Sequence, residues 1–177
     1  KSLTKEQQRN LASINPYYAK AFEQMKLQID AKVAESKVKA GKRIREVPSV
    51  SEKKLFDAIM ARYKGKVVMV DLWATWCGPC RGAIAAFEPR KNKFKDKDVV
   101  FVYITNESSP ESKWLEMVAG IEGEHYRLNR KQWDYICDYF GVDGIPSYVI
   151  VDRDGNARLR NDLRGSGMLE QELSGML

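Results

Sequence analysis

Val67-Val68-Met69-Val70-Asp71-Leu72-Trp73-Ala74-Thr75-Trp76-Cys77-Gly78-Pro79-Cys80 is the stretch on which the reading of this chain turns. Residues 67–73 are an apolar run with the length and β-branched content of a buried strand, interrupted by one acid. Two cysteines separated by two residues follow at once. A pair so spaced closes a disulfide locally and passes two electrons without rearranging the rest of a fold. Redox exchange is the first reading, and half of a tetrahedral zinc site is the competing one.

The rest of the chain bounds both readings. Its 177 residues suffice for one well-buried core plus an appendage. A small disulfide-stapled scaffold would need more than the three cysteines present, so packing must hold the fold and leave Cys77 and Cys80 free to cycle. No segment approaches the roughly 20 apolar residues that span a bilayer, and no signal-type run opens the chain. The first residue is Lys1 rather than Met. The chain therefore reads as processed or trimmed, with any export signal or membrane anchor expected upstream.

Charge divides the sequence. Residues 1–50 hold 11 Lys and Arg against 5 Asp and Glu, which leaves 19 of each from the totals of 30 and 24. All of the net +6 thus lies in the first 50 residues. The balanced remainder has no basic stripe interleaved with aromatics, which argues against a nucleic-acid partner. Within the first segment Leu11, Tyr18, Phe22, Met25, Ile29 and Val33 recur at helical spacing. Pro16 suits a first turn, and Gly41 followed by Pro48 marks an end and a linker. Residues 1–48 thus read as an amphipathic helical arm and linker, and residues 49–177 as the domain proper. The plainest reading packs the apolar face on that domain; a homodimer seam or a membrane-surface role for the basic tail are the alternatives.

Beyond the linker, Ser51 reads as the cap of an amphipathic helix ending at Gly65. A strand over 66–73 leads into a helix that begins at or just after Cys77, carries Phe87 and Phe94 inward and is kinked by Pro89. A strand over 99–105, a helix over 111–119, a weak strand or loop at 124–128 and a helix over 131–140 follow, the last stopped by Gly141. Gly144-Ile145-Pro146-Ser147 opens a strand over 148–152, which turns at Asp154-Gly155 into a last strand near 157–160. A helix over 168–177 closes the chain. This order predicts an α/β sandwich with a mixed central sheet.

Trp76-Cys77-Gly78-Pro79-Cys80, with Asp71 six residues before the first cysteine and Gly144-Ile145-Pro146 before a strand, resembles the thioredoxin superfamily. The phrase from Asp71 to Arg81, with an extra element at about 107–128, is most similar to its TlpA/ResA branch. The resemblance covers about residues 51–177. It implies a thioredoxin-like fold with an N-terminal helical extension, and a thiol-disulfide oxidoreductase without bound cofactor in a bacterial extracytoplasmic setting. Protein disulfides would be its substrates and an upstream thiol reductant its electron source. It also implies that Cys77 attacks and Cys80 resolves, that Pro146 is the cis-proline facing the dithiol, and that Trp76, Gly78, Pro79 and Ile145 border the substrate.

Physical chemistry gives several of these positions independent reasons. A cysteine at a helix N-terminus feels the positive end of the helix dipole, which lowers a thiol pKa from ~8.5 into a range of roughly 3.5 to 7.5. Gly78-Pro79 stiffens the turn and removes a backbone donor, which leaves the thiolate less stabilised and the pair more reducing. Asp71 in an apolar strand has its pKa raised by desolvation, which fits it to take a proton from Cys80; a structural Asp paired with backbone or lysine is the plainer alternative. Trp73 reads as core.

Two departures from the branch stand out. Where many relatives carry an acid three positions and a proline five positions after the second cysteine, this chain has Ala83 and Ala85. Asp71 would then handle protons alone. His125 and Cys137 are the remaining soft ligands for zinc and are not paired in sequence, so metal is disfavoured. Cys137 reads as a small buried hydrophobe on a helix, with a regulatory thiol as the minor option, and His125 as structural or exposed. A redox adaptor dedicated to one partner, and a disulfide oxidase or isomerase, remain alternatives to the reductase.

Overall fold

The computed structural model describes residues 4–14, 16–164 and 167–177. Among them five strands form one sheet: β1 (Val67–Leu72), β2 (Val99–Asn106), β3 (Glu124–Leu128), β4 (Ser147–Val151) and β5 (Ala157–Leu159), in the order β3-β2-β1-β4-β5. β1, β2 and β3 run parallel, while β4 pairs antiparallel with β1 and β5 antiparallel with β4. The mixed α/β sheet expected from the order of elements is present. The segment 124–128, expected as a weak strand or loop, is a full parallel edge strand.

β1 occupies the centre, and all six of its residues are buried. Alternation along it decides which residues meet the dithiol. Val68, Val70 and Leu72 face one layer of core, where they join Leu55, Phe56 and Ile59 of α3 (Glu52–Met60) and Ile136 of α6 (Arg130–Phe140). Met69 and Trp73 face the other layer, with Cys77, Cys80, Ile84 and Phe87. Asp71, two residues from each, shares their face of the strand.

The helix after the dithiol, α4, spans Gly78–Phe87. Its regular winding stops one residue before the Glu88-Pro89 pair and continues as a 3-10 segment, Glu88–Phe94. Pro89 thus changes the helix type rather than merely bending it. Phe87 and Phe94 are buried as expected, each with its ring edge-on to Phe101. Ser51 precedes α3 at the cap position, yet its side chain makes no capping hydrogen bond. α6 is better closed. Asn129 and Gln132 form a reciprocal capping box at its start, and Gly141 takes the left-handed conformation at its end.

The segment expected as an extra element, about 107–128, holds α5 (Glu111–Val118) and β3. Arg43 binds it to the end of the N-terminal arm, its Nη1 donating to the carbonyls of Val118, Ala119 and Ile121 at 2.9–3.2 Å. Ile44 adds a parallel bridge to His125, and Arg45 pairs with Glu124.

The arm itself departs from expectation. Two helices, α1 (Lys5–Ile14) and α2 (Pro16–Gly41), stand where one was expected, with Pro16 in the first turn of the second and Gly41 at its end. Of the expected apolar face, Tyr18, Met25, Ile29 and Val33 are exposed, and Leu11's side chain lies outside the described residues. Packing of that whole face on the domain is therefore not observed. Among the described residues the second half of α2 meets the domain: Ala40 is fully buried, and Ile29 and Val33 flank a groove shared with Leu115 of α5. α7 (Met168–Gly175) closes the fold through Leu169 and Leu173.

Gly123 sits at the tightest backbone approach, entering β3 with φ +141°, and a Cβ there would lie 2.6 Å from the Phe101 carbonyl oxygen and 2.9 Å from the Tyr103 ring. Gly123→Ala is expected to cost about 3 kcal/mol in chemical denaturation, through strain and overlap with backbone. Gly82→Ala, on an exposed helix position with open space around it, should be neutral or stabilising by ~0.5–1 kcal/mol. Equal effects at the two sites would contradict the packing described.

Candidate active site

The chain leaves β1 at Leu72 and crosses into α4 through Trp73-Ala74-Thr75-Trp76-Cys77. This crossing is held from the side by the loop after β2. The Ser109 hydroxyl accepts the Thr75 N–H at 3.0 Å and bonds the Thr105 hydroxyl at 2.7 Å, while the Trp76 indole donates to Ser108 Oγ at 3.0 Å. Trp73 is fully buried, as expected, whereas Trp76 stays 62% exposed beside the dithiol. Neither serine carried a signal in the sequence, since their role depends on a loop 32 to 34 residues away.

Cys77 caps α4, and its Sγ accepts the Cys80 N–H at 3.1 Å. Pro79, in the first turn, offers no N–H. The two cysteines are joined in a disulfide, with Cα atoms 5.3 Å apart. Cys80 is fully buried and Cys77 is 4% exposed. The Ile145 carbonyl oxygen lies 3.8 Å from Cys77 Sγ, and the Ile145–Pro146 peptide bond is cis. Ile145 and Pro146 are half-buried, Gly78 and Pro79 exposed. Of the residues singled out in sequence, Trp76, Cys77, Gly78, Pro79, Cys80 and Ile145 thus gather at one end of the sheet with Pro146. Asp71 lies behind them on the same face of β1.

Asp71 is 1% exposed, and its Oδ1 has no hydrogen-bond partner among the described residues. Burial pushes its pKa up to about 8, and the Lys91 ammonium opposes that rise. A carboxyl without donors favours its protonated form, as the sequence led one to expect. The tyrosines on either side, Tyr103 and Tyr148, are its register partners on β2 and β4. Both are pushed above the ordinary phenol value, mainly by burial and then by the Asp71 charge.

Lys91 carries no signal of burial in the sequence, yet it is enclosed. Its Nζ donates to Glu88 Oε2 at 2.6 Å and to the Glu122 carbonyl, and lies 4.6 Å from the Tyr103 ring centroid and 5.3 Å from that of Phe101. Burial lowers its pKa, and the Glu88 hydrogen bond opposes this. His125 stacks on Tyr103, the ring centroids 5.0 Å apart, with its Nε2–H directed at the Ile121 carbonyl oxygen at 3.1 Å. Burial drops its pKa to about 3, so it stays neutral and structural. Among the described residues no group of three or more His, Cys, Asp or Glu is placed to hold a metal ion.

Cys137 is half-buried rather than enclosed, and lines a cleft with Trp76 and Ile145. The sequence showed only its apolar neighbours. Desolvation, then Asp134 and Asp138, push its thiol up to about 11. Ala83 is half-buried and Ala85 exposed on α4, and neither supplies a proton carrier.

These groups give stability a definite pH dependence. Asp71 rises from 3.8 to about 8 on folding, so between those values the folded chain keeps a proton that the unfolded chain has released. Stability therefore falls as pH rises through that window. His125 falls from 6.5 to about 3, so stability is lost on acidification below 6.5. Asp71→Asn is expected to stabilise the disulfide form at pH 9 by on the order of 5 kcal/mol and to change it little at pH 4. Denaturant titrations at the two pH values test this, and an equal difference at both would contradict the buried, proton-holding Asp71.

A family model described as thioredoxin-like matches residues 65–157. The thioredoxin-like protein YneN of Bacillus subtilis is 41% identical over 92 residues, covering 52% of this chain and 54% of that protein. The thiol-disulfide oxidoreductase ResA of Bacillus anthracis is 24% identical over 92 residues, covering 52% of each. The chain thus spans about half the length of these curated relatives. Among solved structures, the thioredoxin domain of a thiol-disulfide oxidoreductase from Bacteroides vulgatus superposes with a TM-score of 0.58 at 22% identity, over 67% of this chain and 84% of that one. The strand order around β1, the capped dithiol and the match across residues 65–157 agree, and the chain belongs to the thioredoxin-like family.

Proposed function

We propose that this chain exchanges thiols and disulfides with protein substrates in the reducing direction, Cys77 attacking and Cys80 resolving. One observation carries the reading: a dithiol caps a helix in front of the buried Asp71 carboxyl and beside the Ile145–Pro146 segment.

The reduced pair would act in two balanced steps. Cys77 thiolate, at the positive end of α4 and bonded by the Cys80 N–H, attacks one substrate sulfur. The substrate S–S bond breaks, a mixed disulfide forms, and the departing sulfur takes a proton. In the fraction of molecules whose Asp71 has released its proton to solvent, the carboxylate takes the Cys80 proton, and the Cys80 thiolate attacks Cys77 Sγ. The mixed disulfide breaks, the second substrate thiol leaves, and the Cys77–Cys80 bond remains. An Asp71 pKa of about 8 lies close to that of a thiol, which keeps this transfer nearly balanced. Two electrons from an upstream thiol reductant restore the pair.

The reducing direction is supported by Cys77 Sγ taking the Cys80 N–H as its one backbone donor among the described residues, and by Pro79, which has no N–H to add. A thiolate with fewer donors is less stable, so the disulfide is less prone to reduction and the dithiol a better reductant. The extracytoplasmic setting rests on the likeness to the TlpA/ResA branch. No helix among the described residues is long and apolar enough to cross a membrane.

The adaptor reading draws on the arm, where Tyr17, Met25, Leu27 and Ile29 stand exposed and a dedicated partner or second copy could cover them. Trapping separates the readings. In insulin reduction driven by a dithiol, Cys77→Ser is expected to lose activity about a thousandfold or more. Cys80→Ser should accumulate mixed disulfides with several proteins. An unchanged rate in Cys77→Ser would contradict the enzyme, and one stoichiometric captive with negligible turnover would favour the adaptor.

A further inference from the structure

The segment that leads into β4 is thinly packed just before its cis bond. Asp143 and Gly144 are exposed, and a Cβ on Gly144 would meet nothing within 4 Å. Apolar packing can hold the half-buried Ile145 side chain, but it has no purchase on the Gly144–Ile145 peptide. That peptide adjoins the exchange centre, since the Ile145 carbonyl oxygen lies 3.8 Å from Cys77 Sγ. Pro146 has no N–H, so Ile145 supplies the nearest backbone donor in the segment. Among the described residues this Ile145 N–H has no acceptor.

A polar clamp holds the peptide instead. Arg164 Nη2 donates to the Gly144 carbonyl oxygen at 3.0 Å and to Ser147 Oγ at 2.6 Å, and the Ser147 hydroxyl donates to the same carbonyl oxygen at 2.5 Å. Ser147 is fully buried at the start of β4. Arg164 arrives from beyond β5, after a 3-10 turn, Asn161–Leu163, in which Leu163 is buried. The Arg160 N–H before that turn is bonded to the Tyr148 carbonyl oxygen at 2.7 Å, so the clamp is tied to the strand it serves. Asp143 Oδ1 lies 3.5 Å from Nη2 as well, but that side chain is 84% exposed and the ion pair adds little.

The Gly144–Ile145 peptide is trans, the cis bond being the next one, and a trans peptide is planar with its C=O and N–H directed oppositely. Fixing the Gly144 oxygen toward Arg164 and Ser147 therefore fixes the Ile145 N–H pointing away from them. We propose that Arg164 is a positioning residue for disulfide exchange: through the Gly144 carbonyl it orients the Ile145 N–H to donate to a backbone carbonyl of the substrate polypeptide beside the cysteine under attack. The proposal rests on the reading of the chain as a disulfide-exchange protein. Arg164 itself touches neither the reacting sulfurs nor the substrate. Its loss weakens the grip on a polypeptide rather than the attack of one sulfur on another.

Two disulfides of one chromophoric thiol separate grip from attack. One joins it to the cysteine of an end-blocked pentapeptide, the other to 2-mercaptoethanol, which presents a sulfur without a peptide backbone. Second-order rate constants are measured for the full chain, reduced beforehand, and the ratio of the peptide to the mercaptoethanol disulfide is the readout. In the wild type this ratio should be about tenfold or more. Arg164→Met should lower it about fivefold or more, Ser147→Ala should move it the same way, and Arg164→Lys, which keeps the charge and a donor, should restore at least about half of it. A ratio within about twofold of wild type in every variant that unfolds cooperatively overturns the proposal, including the case in which both rates fall together, as a merely structural clasp would make them. An Arg164→Lys ratio no higher than that of Arg164→Met overturns it as well. A wild-type ratio near one also overturns it and leaves exchange standing, whereas failure of the wild type on both disulfides overturns exchange and the clamp together.

Discussion

A carboxyl group on the buried central strand of a sheet is desolvated, which opposes its ionisation, and Asp71 occupies that position with Oδ1 unpartnered among the described residues. Everything around it is arranged by this constraint. Two strand neighbours present tyrosines on either side, and burial keeps both phenols protonated, so neither adds charge. The compensating charge arrives from farther away, as the Lys91 ammonium over the Tyr103 ring. Lys91 is held in turn by Glu88, whose other oxygen accepts the Glu122 N–H at 2.7 Å. Removing Lys91 would leave Glu88 without its buried partner and Asp71 without its opposing charge.

The same strand aims the dithiol. Because β1 is pinned by β2 on one side and β4 on the other, its end is fixed, and the Thr75–Ser109 and Trp76–Ser108 bonds fix the crossing into α4. Cys77 therefore sits on a rigid support, with Cys80 sealed beneath it. Rigid placement costs little reorganisation at the moment of reaction.

What was legible in the sequence is what local chemistry determines. The apolar run of β1, the dithiol at a strand-to-helix turn, Gly141 and the Asp154-Gly155 hairpin each state their geometry within a few residues. The oddity of an acid in an apolar strand was also visible, and its desolvation followed. Lys91 was not legible, because it sits among Arg90, Lys93 and Lys95 and is turned inward only when α4 gives way to a 3-10 winding after Phe87. Ser108 and Ser109 reach Trp76 and Thr75 only through tertiary approach. Cys137 looked buried because its chain neighbours are apolar, yet the half of its surroundings contributed by distant segments is a cleft. For the arm, helical spacing identified an apolar face but could not say what covers it, and most of that face is exposed.

These observations join into one account: a dithiol with few thiolate donors, backed by a carboxyl that holds its proton until about pH 8, should release electrons rather than take them. Equilibration of the Cys77–Cys80 pair against redox buffers of known potential tests that account most directly. A midpoint near about −270 mV is the predicted result, and one near about −120 mV, the range of a strong oxidant, would contradict it.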